Sequence, residues 1–390
     1  MDNLKQHFML DPDVIYLNHG SFGATPRPVF EIYQEWQQRL ERQPVYFFQN
    51  ILMGDLEKAR LKLAEFIHTK AEDVVFVPNA TYGVNLVARS LKLDTGDEIL
   101  ASNHEYGACD NAWEFICQKS GATYLHQPIQ VPAGPPDQII EGFWQGVSTR
   151  TRLIFLSHIT SPTALQLPVE AICQRARQAG ILTFIDGAHA PGQIPVNLDE
   201  LNPDFYVGNC HKWMFAPKGT AFLYTHAEVQ HMVEPLVISW GWGKNSPFKS
   251  GSVYLDSLQW AGTNDYSAYL TIPAAIQFQT DHHWEVVRHD CHNLLQETLI
   301  RISDLTSLPS AYRQDAENYH QMAIAPLPDN LDLQSIKQRL YDKFRVEIPF
   351  ITWNDRNFIR ISIQGYNSGA DVDILIDGLQ ALLPQLVQPT

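Results

Sequence analysis

The sequence predicts an α/β fold: a mostly parallel sheet with helices on both faces, followed by a smaller C-terminal α+β unit. Between residues 73 and 225, short apolar runs alternate with segments of helical spacing, the pattern of strand–crossover–strand units. After residue 266 that alternation stops, and a long helical stretch leads into a few strands. A length of 390 residues suits one large domain with a second, smaller one.

The expected strands of the first part are Val74 to Val77, Glu98 to Ala101, Leu153 to Ser157, Leu182 to Ile185, Phe205 to Val207 and Ala221 to Tyr224. Each is a short run of apolar residues, rich in branched and aromatic side chains, as strands buried on both faces require. Helical spacing marks Tyr82 to Leu91, Tyr106 to Lys119 and Val169 to Gln178. Asp94-Thr95-Gly96-Asp97 is a turn between helix and strand, and Val131 to Pro136 reads as a surface loop. In the second part a helix is expected from Ser267 to Ile302 with a break near Thr280. Strands follow near Gln321 to Ala325, Val346 to Phe350 and Phe358 to Ile363, with helices at Leu333 to Phe344 and Ala370 to Leu383. The expected division is an N-terminal arm (1–25) joining the small domain and reaching the active site, a large domain (26–265), and a linking helix with the small domain (266–390).

Composition narrows the function classes. The chain is 45% hydrophobic and 11% aromatic, enough for a large core. A formal charge of −15 argues against nucleic acid and against an anionic membrane surface, since phosphate binding needs clustered Lys and Arg. The start, Met1-Asp2-Asn3-Leu4-Lys5, shows no secretion signal, and no apolar run reaches the roughly 18 residues of a membrane span. Cys109, Cys117, Cys173, Cys210 and Cys291 are scattered and odd in number, and read as reduced thiols of a cytoplasmic protein.

The chemistry-bearing residues fall at the carboxyl ends of the expected strands, where open α/β sheets bind ligands. Val75 to Val77 runs through Pro78-Asn79-Ala80-Thr81 into a helix, a turn that aims backbone N–H groups and a hydroxyl at an anion. An ordinary helix cap at Asn79 or Thr81 explains that turn equally well. The strand Leu182 to Ile185 ends in Asp186-Gly187-Ala188-His189; a buried carboxylate there caps a helix or keeps a pyridine nitrogen protonated. The next strand leads into Asn209-Cys210-His211-Lys212-Trp213, with Lys212 26 positions after the acid. A lysine in such a pocket loses its proton easily, as a Schiff-base lysine must.

With these motifs in order along essentially the whole chain, the sequence resembles the fold-type I, class V aminotransferase family of pyridoxal 5'-phosphate (PLP) enzymes. That resemblance implies a seven-stranded-type sheet, PLP as cofactor, Lys212 joined to it as an imine and Asp186 on its ring nitrogen. It also implies that His189 bonds the ring's O3′ oxygen, that Ala80, Thr81, Asn209 and His211 cradle the phosphate, and that His104, in Ser102-Asn103-His104-Glu105-Tyr106-Gly107, stacks on the ring. Thr263, in Trp260-Ala261-Gly262-Thr263-Asn264-Asp265, would reach the phosphate of a neighbouring subunit, implying a homodimer with shared active sites. Arg360, on the strand Phe358 to Ser362, would grip the α-carboxylate of a small amino-acid substrate, for which a planar fork is well shaped.

Asn18-His19-Gly20-Ser21-Phe22-Gly23 and Ser239-Trp240-Gly241-Trp242 are similar to the isopenicillin N epimerase-like branch, which also holds C–S lyases acting on cysteine-derived sulfoxides. Asn18 and His19 would then line the substrate pocket. Where many relatives carry an asparagine beside O3′, this sequence has Thr160-Ser161-Pro162-Thr163, leaving His189 as the donor. The expected reaction begins when the substrate amine displaces Lys212 and the freed lysine takes the Cα proton. Epimerisation, β-elimination and class V transamination all remain open from that step. A cysteine desulfurase fits poorly, because Ser310 to Met322, where its loop cysteine is expected, contains none. A non-catalytic PLP-binding protein is opposed by the complete Lys212, Asp186 and Arg360 set. A metal hydrolase would have to use His282, His283, His289 and His292, but without an acid partner pattern they read as a solvated helix face, and no metal is expected.

Overall fold

The computed structural model describes residues 4–243, 245–248, 250–313 and 318–386. The Met1-Asp2-Asn3 start and residues 314–317 of the segment searched for a loop cysteine lie outside them.

A seven-stranded sheet forms the centre, in the order Val74–Val77, Ala221–Thr225, Phe205–Asn209, Leu182–Asp186, Thr151–Ser157, Glu98–Ser102 and Thr123–Gln127. Only Ala221–Thr225 runs against the others, pairing antiparallel with both of its neighbours. Side chains alternate between the faces at the period of two that a strand imposes. Val75, Ile99, Leu153, Phe184 and Val207 pack on one face with the helices Ala80–Ser90 and Gly107–Ser120. Val74, Leu100, Ile154, Ile185 and Tyr206 pack on the other, with Leu52–Phe66 and Val169–Gln178. Apolar residues on both faces are why these strands read as continuous runs in the sequence.

Thr123–Gln127 has no such run and was not among the expected strands. It lies at the sheet edge, bonded only to Glu98–Ser102, and its residues are exposed or half-buried. The expected helix break near Thr280 falls instead at His282 and His283. There His283 takes the left-handed conformation (φ 49°), and His282 Nδ1 bonds back to the Phe278 carbonyl at 2.8 Å. The expected strand Val346 to Phe350 is two pieces, Val346–Glu347 and Phe350–Trp353. Phe350–Trp353 joins Arg356–Ser362 and Met322–Leu327 in an antiparallel three-stranded sheet, packed by Leu333–Phe344 and Trp284–Thr306.

The N-terminal segment links this second sheet to the first. Ile15–Tyr16 pairs in parallel with Val346–Glu347, and Asn18 bridges to Ser362. Five residues on, Gly23 lies against the backbone of the lysine-bearing loop, where the Lys218 ammonium donates to its carbonyl at 3.0 Å. Gly23 has φ +71°, and a Cβ there would stand 2.2 Å from the His211 carbonyl oxygen and 3.0 Å from Lys212 Cα. Gly23→Ala is therefore expected to destabilise the protein by about 3 kcal/mol, combining left-handed strain with a backbone clash. Chemical denaturation of the cofactor-free protein measures this, and an unchanged midpoint would show that the arm is not pinned here.

Candidate active site

Five of the six strands that run in one direction deliver residues to a single edge of the sheet. Val77 leads to Ala80 and Thr81, Ser102 to Tyr106, and Ser157 to Ser161; Asp186 ends its strand before His189, and Asn209 ends the one before Lys212. Thr81, Asp186, His189, Asn209, His211 and Lys212 all line one cavity of about 160 Å³. The structure thus brings together most of the cofactor-binding residues that the sequence pointed to.

Lys212 is half-buried, and its amine stands 3.0 Å from Nε2 of His189. Burial, reinforced by the nearby Arg360 charge, lowers its pKa to about 8, against a smaller opposing pull from Asp186. Asp186 is buried, and desolvation pushes its carboxyl pKa up. Its Oδ1 accepts the Ala188 N–H at 2.9 Å, while Oδ2 receives only the weak Cys109 thiol donor at 3.6 Å. A buried carboxylate with so little compensation favours a cationic N–H in the cavity.

Around the phosphate-binding residues the hydrogen bonding is specific. Asn79 caps the helix by accepting the Tyr82 N–H at 2.8 Å. The Ala80 N–H, expected to face a phosphate, instead donates to Asn209 Oδ1 at 2.9 Å, leaving Thr81 as the helix-start residue on the cavity with no such tie to Asn209. His211 Nδ1 donates to the Thr220 carbonyl at 2.9 Å, so Nε2 is an acceptor unless the ring takes up a proton. Burial lowers the His211 pKa to about 4, so a phosphate at this site would have to supply the charge that protonates it.

Other expected site residues stand elsewhere. His104 is wholly buried but outside the cavity lining: Nδ1 meets Thr163 Oγ1 at 2.7 Å, Nε2 meets the Ile129 carbonyl at 2.8 Å, and the ring packs on Trp353. Tyr106, two residues later, is on the cavity wall instead. His19 is also buried away from the cavity, with Nδ1 on the Tyr366 hydroxyl at 2.9 Å and Nε2 on the Lys212 carbonyl at 3.2 Å. Burial brings its pKa to about 3, so it supports the lysine backbone as a neutral ring. Asn18 accepts the Ser21 hydroxyl at 2.5 Å, and Ser21 and Phe22 are the residues of this segment that reach the cavity. Within one chain Thr263 lines a separate groove, beside Gly262 and Tyr266.

Arg360 sits just behind the wall. Its guanidinium donates to the Ser161 carbonyl at 2.6 Å and to Ser21 Oγ at 3.0 Å, and both serines line the cavity. Thr160 and Thr163 bond to each other at 2.7 Å inside the wall. Sequence reasoning missed Tyr106, Cys109, Ser157, Ser21 and Ser161 as lining residues. Ser157 was legible as the strand-end residue opposite Asp186, and Cys109 as lying three residues beyond Tyr106 where the next helix begins.

The arrangement fits a phosphorylated pyridine aldehyde. A half-buried amine of lowered pKa faces the same cavity as a buried acid, and the Thr81 helix start opens onto that cavity at another point of its wall.

A model for aminotransferase class-V matches residues 15–375. An isopenicillin N epimerase from Amycolatopsis lactamdurans is 34% identical, covering 97% of this chain and 98% of its own length. A probable chloroplastic L-cysteine desulfhydrase from Arabidopsis thaliana is 28% identical, covering 96% and 84% respectively. The apo cysteine desulfurase from Thermococcus onnurineus NA1 shares the fold, with a TM-score of 0.84 at 19% identity over 99% of this chain and 98% of that one.

Because only the neutral amine attacks an aldehyde, imine formation between the cofactor-free protein and pyridoxal should rise with pH around a midpoint near 8. Absorbance of the imine across a pH series measures it. A midpoint near the ordinary lysine value of about 10.4 would contradict the desolvated, neutralised amine.

Proposed function

The chain belongs to the class-V aminotransferase family, and on that premise we propose that it is a PLP-dependent enzyme acting at Cα and Cβ of a small amino acid, with Lys212 as its cofactor lysine. The observation that carries this reading is the half-buried Lys212 amine and the buried Asp186 carboxyl lining one cavity. Bound PLP supplies an electron sink that acidifies the substrate's Cα–H.

Asp186 would hold a proton on the ring nitrogen, with the Cys109 thiol and the Ala188 N–H fixing its carboxylate plane. Thr81, Asn209 and protonated His211 would hold the phosphate, and the small Ala188 side chain leaves room for a planar ring. Lys212, released by the substrate's own amine, would take the Cα proton at Nζ; its pKa near 8 suits a base that is reprotonated every turnover. Arg360 would exchange its Ser161 and Ser21 contacts for the substrate carboxylate, and its unpartnered Nε adds a donor to that fork.

Epimerisation or β-elimination at a carbon–sulfur bond is the favoured outcome, supported by the epimerase and cysteine desulfhydrase relatives. Transfer of sulfur to a loop cysteine is disfavoured by a 310–322 segment without one. A homodimer is supported by the exposed Ile238, Trp240, Trp242 and Val253, a large apolar area for a chain to leave in water, and by Thr263 standing apart from its own cavity. Five buried free thiols support a reducing compartment such as the cytoplasm. Among the described residues no helix is long and apolar enough to cross a membrane.

The test is a substrate panel of cystine, cysteine-derived sulfoxides and peptide-like amino acids offered to the PLP-loaded protein. Pyruvate with ammonia, or an inverted Cα centre, is the expected outcome. Stoichiometric release of a keto acid with conversion to the pyridoxamine form would instead assign transamination. Arg360→Lys should then lower kcat/KM roughly 30-fold, about 2 kcal/mol, chiefly through KM, because the bidentate fork is lost while the chemistry is not. An unchanged KM would remove Arg360 from carboxylate binding.

A further inference from the structure

The residue after Lys212 has so far had no part in the chemistry. Trp213 is fully buried, and its indole Nε1 lies 3.3 Å from Nδ1 of His189. On the other side of that imidazole, Nε2 faces the Lys212 amine at 3.0 Å. We propose that Trp213 is a positioning residue that fixes His189 as its Nε2–H tautomer, so that the contact with His189 favours the Lys212 amine in its neutral, hydrogen-bond-accepting form.

The argument is one of donor counting. An indole N–H can only donate, so Nδ1 must accept. A neutral imidazole carries one N–H, which then sits on Nε2 and points at Nζ. An ammonium has three donors and no lone pair, so it cannot accept that bond, whereas a free amine can. The alternative, a charged histidine, would turn an Nδ1–H against the indole N–H, and it is opposed by burial and by the nearby Arg360 charge. Desolvation is the largest influence lowering the Lys212 pKa, Arg360 adds to it and Asp186 opposes it; the contact with His189 acts beside these.

Trp213 is itself held in place. Gln279 Nε2 donates to its carbonyl at 3.0 Å, and the His19 ring packs against its indole with centroids 5.0 Å apart. His189 is tied as well, its carbonyl accepting from Gln193 Nε2 at 2.7 Å. The relay therefore ends on backbone contacts that do not depend on cofactor.

This deepens the reading of Lys212 as the cofactor lysine, yet it can be tested on protein that holds no cofactor. Nitrogen-15 NMR of histidine-labelled protein reads the His189 tautomer directly, with the signal assigned by its loss in His189→Gln. The wild type should show an unprotonated Nδ1 and a protonated Nε2. Two variants remove the indole donor: Trp213→Phe, and 3-benzothienylalanine at 213, which keeps the bicyclic shape should the smaller ring fail to pack. Either should let Nε2 become an acceptor, admit the ammonium form, and slow imine formation with pyridoxal roughly tenfold at pH 7, one pH unit in the midpoint. At high pH the rates should converge with wild type. A folded benzothienylalanine protein with the wild-type tautomer and pH profile would overturn the proposal, as would an Nδ1–H signal in the wild type. Failure of the cofactor assignment would look different, since no imine would then form at residue 212 in any of these proteins.

Discussion

Partial burial of a lysine amine is the constraint around which the rest of the molecule is arranged. Desolvation disfavours the ammonium, and the pKa near 8 expresses that cost. An ordinary protein would remove such a residue or pair it with a carboxylate. Here the amine contacts a neutral imidazole nitrogen at 3.0 Å, and Asp186 pulls its pKa only part of the way back up. What stabilises the site must therefore come from the scaffold around it.

That scaffold reaches the lysine from several distant parts of the chain. Two neighbouring parallel strands end in Asp186 and Asn209, with Asp186 opposite Val207. The N-terminal segment brings Gly23 against the Lys212 backbone and His19 onto its carbonyl. The helix Ile272–Asp281 supplies Gln279 to the next carbonyl, and the second sheet carries Arg360 to the serines of the wall. Loops hold the reactive groups, and the loop that carries Lys212 is tied from outside by His19, Gln279 and Gly23.

Legibility in the sequence followed burial. Strands covered on both faces, such as Val74–Val77 and Leu182–Asp186, were readable as apolar runs, whereas the edge strand Thr123–Gln127 had no hydrophobic signal to give. Asp186 and Lys212 are readable from their place at strand ends, whereas His189 and Asn209 are implied by the family resemblance. Histidines are where the sequence reading and the cavity lining differ most. His104 and His19 fall in motifs that suggest a ligand contact, but each spends both ring nitrogens inside the wall. Nothing in the sequence separates a histidine that lines a cavity from one that braces it, because the difference lies in partners such as Ile129, Thr163 and Tyr366, which are remote in the chain. Ala80 shows the same effect at a backbone atom, its N–H taken by an asparagine more than a hundred residues away. Arg360 was readable as an arginine on an apolar strand, but its standing one layer behind Ser21 and Ser161 was not.

The central claim, that the lysine at 212 carries the cofactor, is tested most directly by finding where the cofactor becomes fixed. The PLP-loaded protein is reduced with borohydride, digested, and its peptides are weighed and fragmented. A pyridoxyl-phosphate adduct on Lys212 alone is the expected result. An adduct on Lys218 or another lysine, with Lys212 unmodified, would contradict the account.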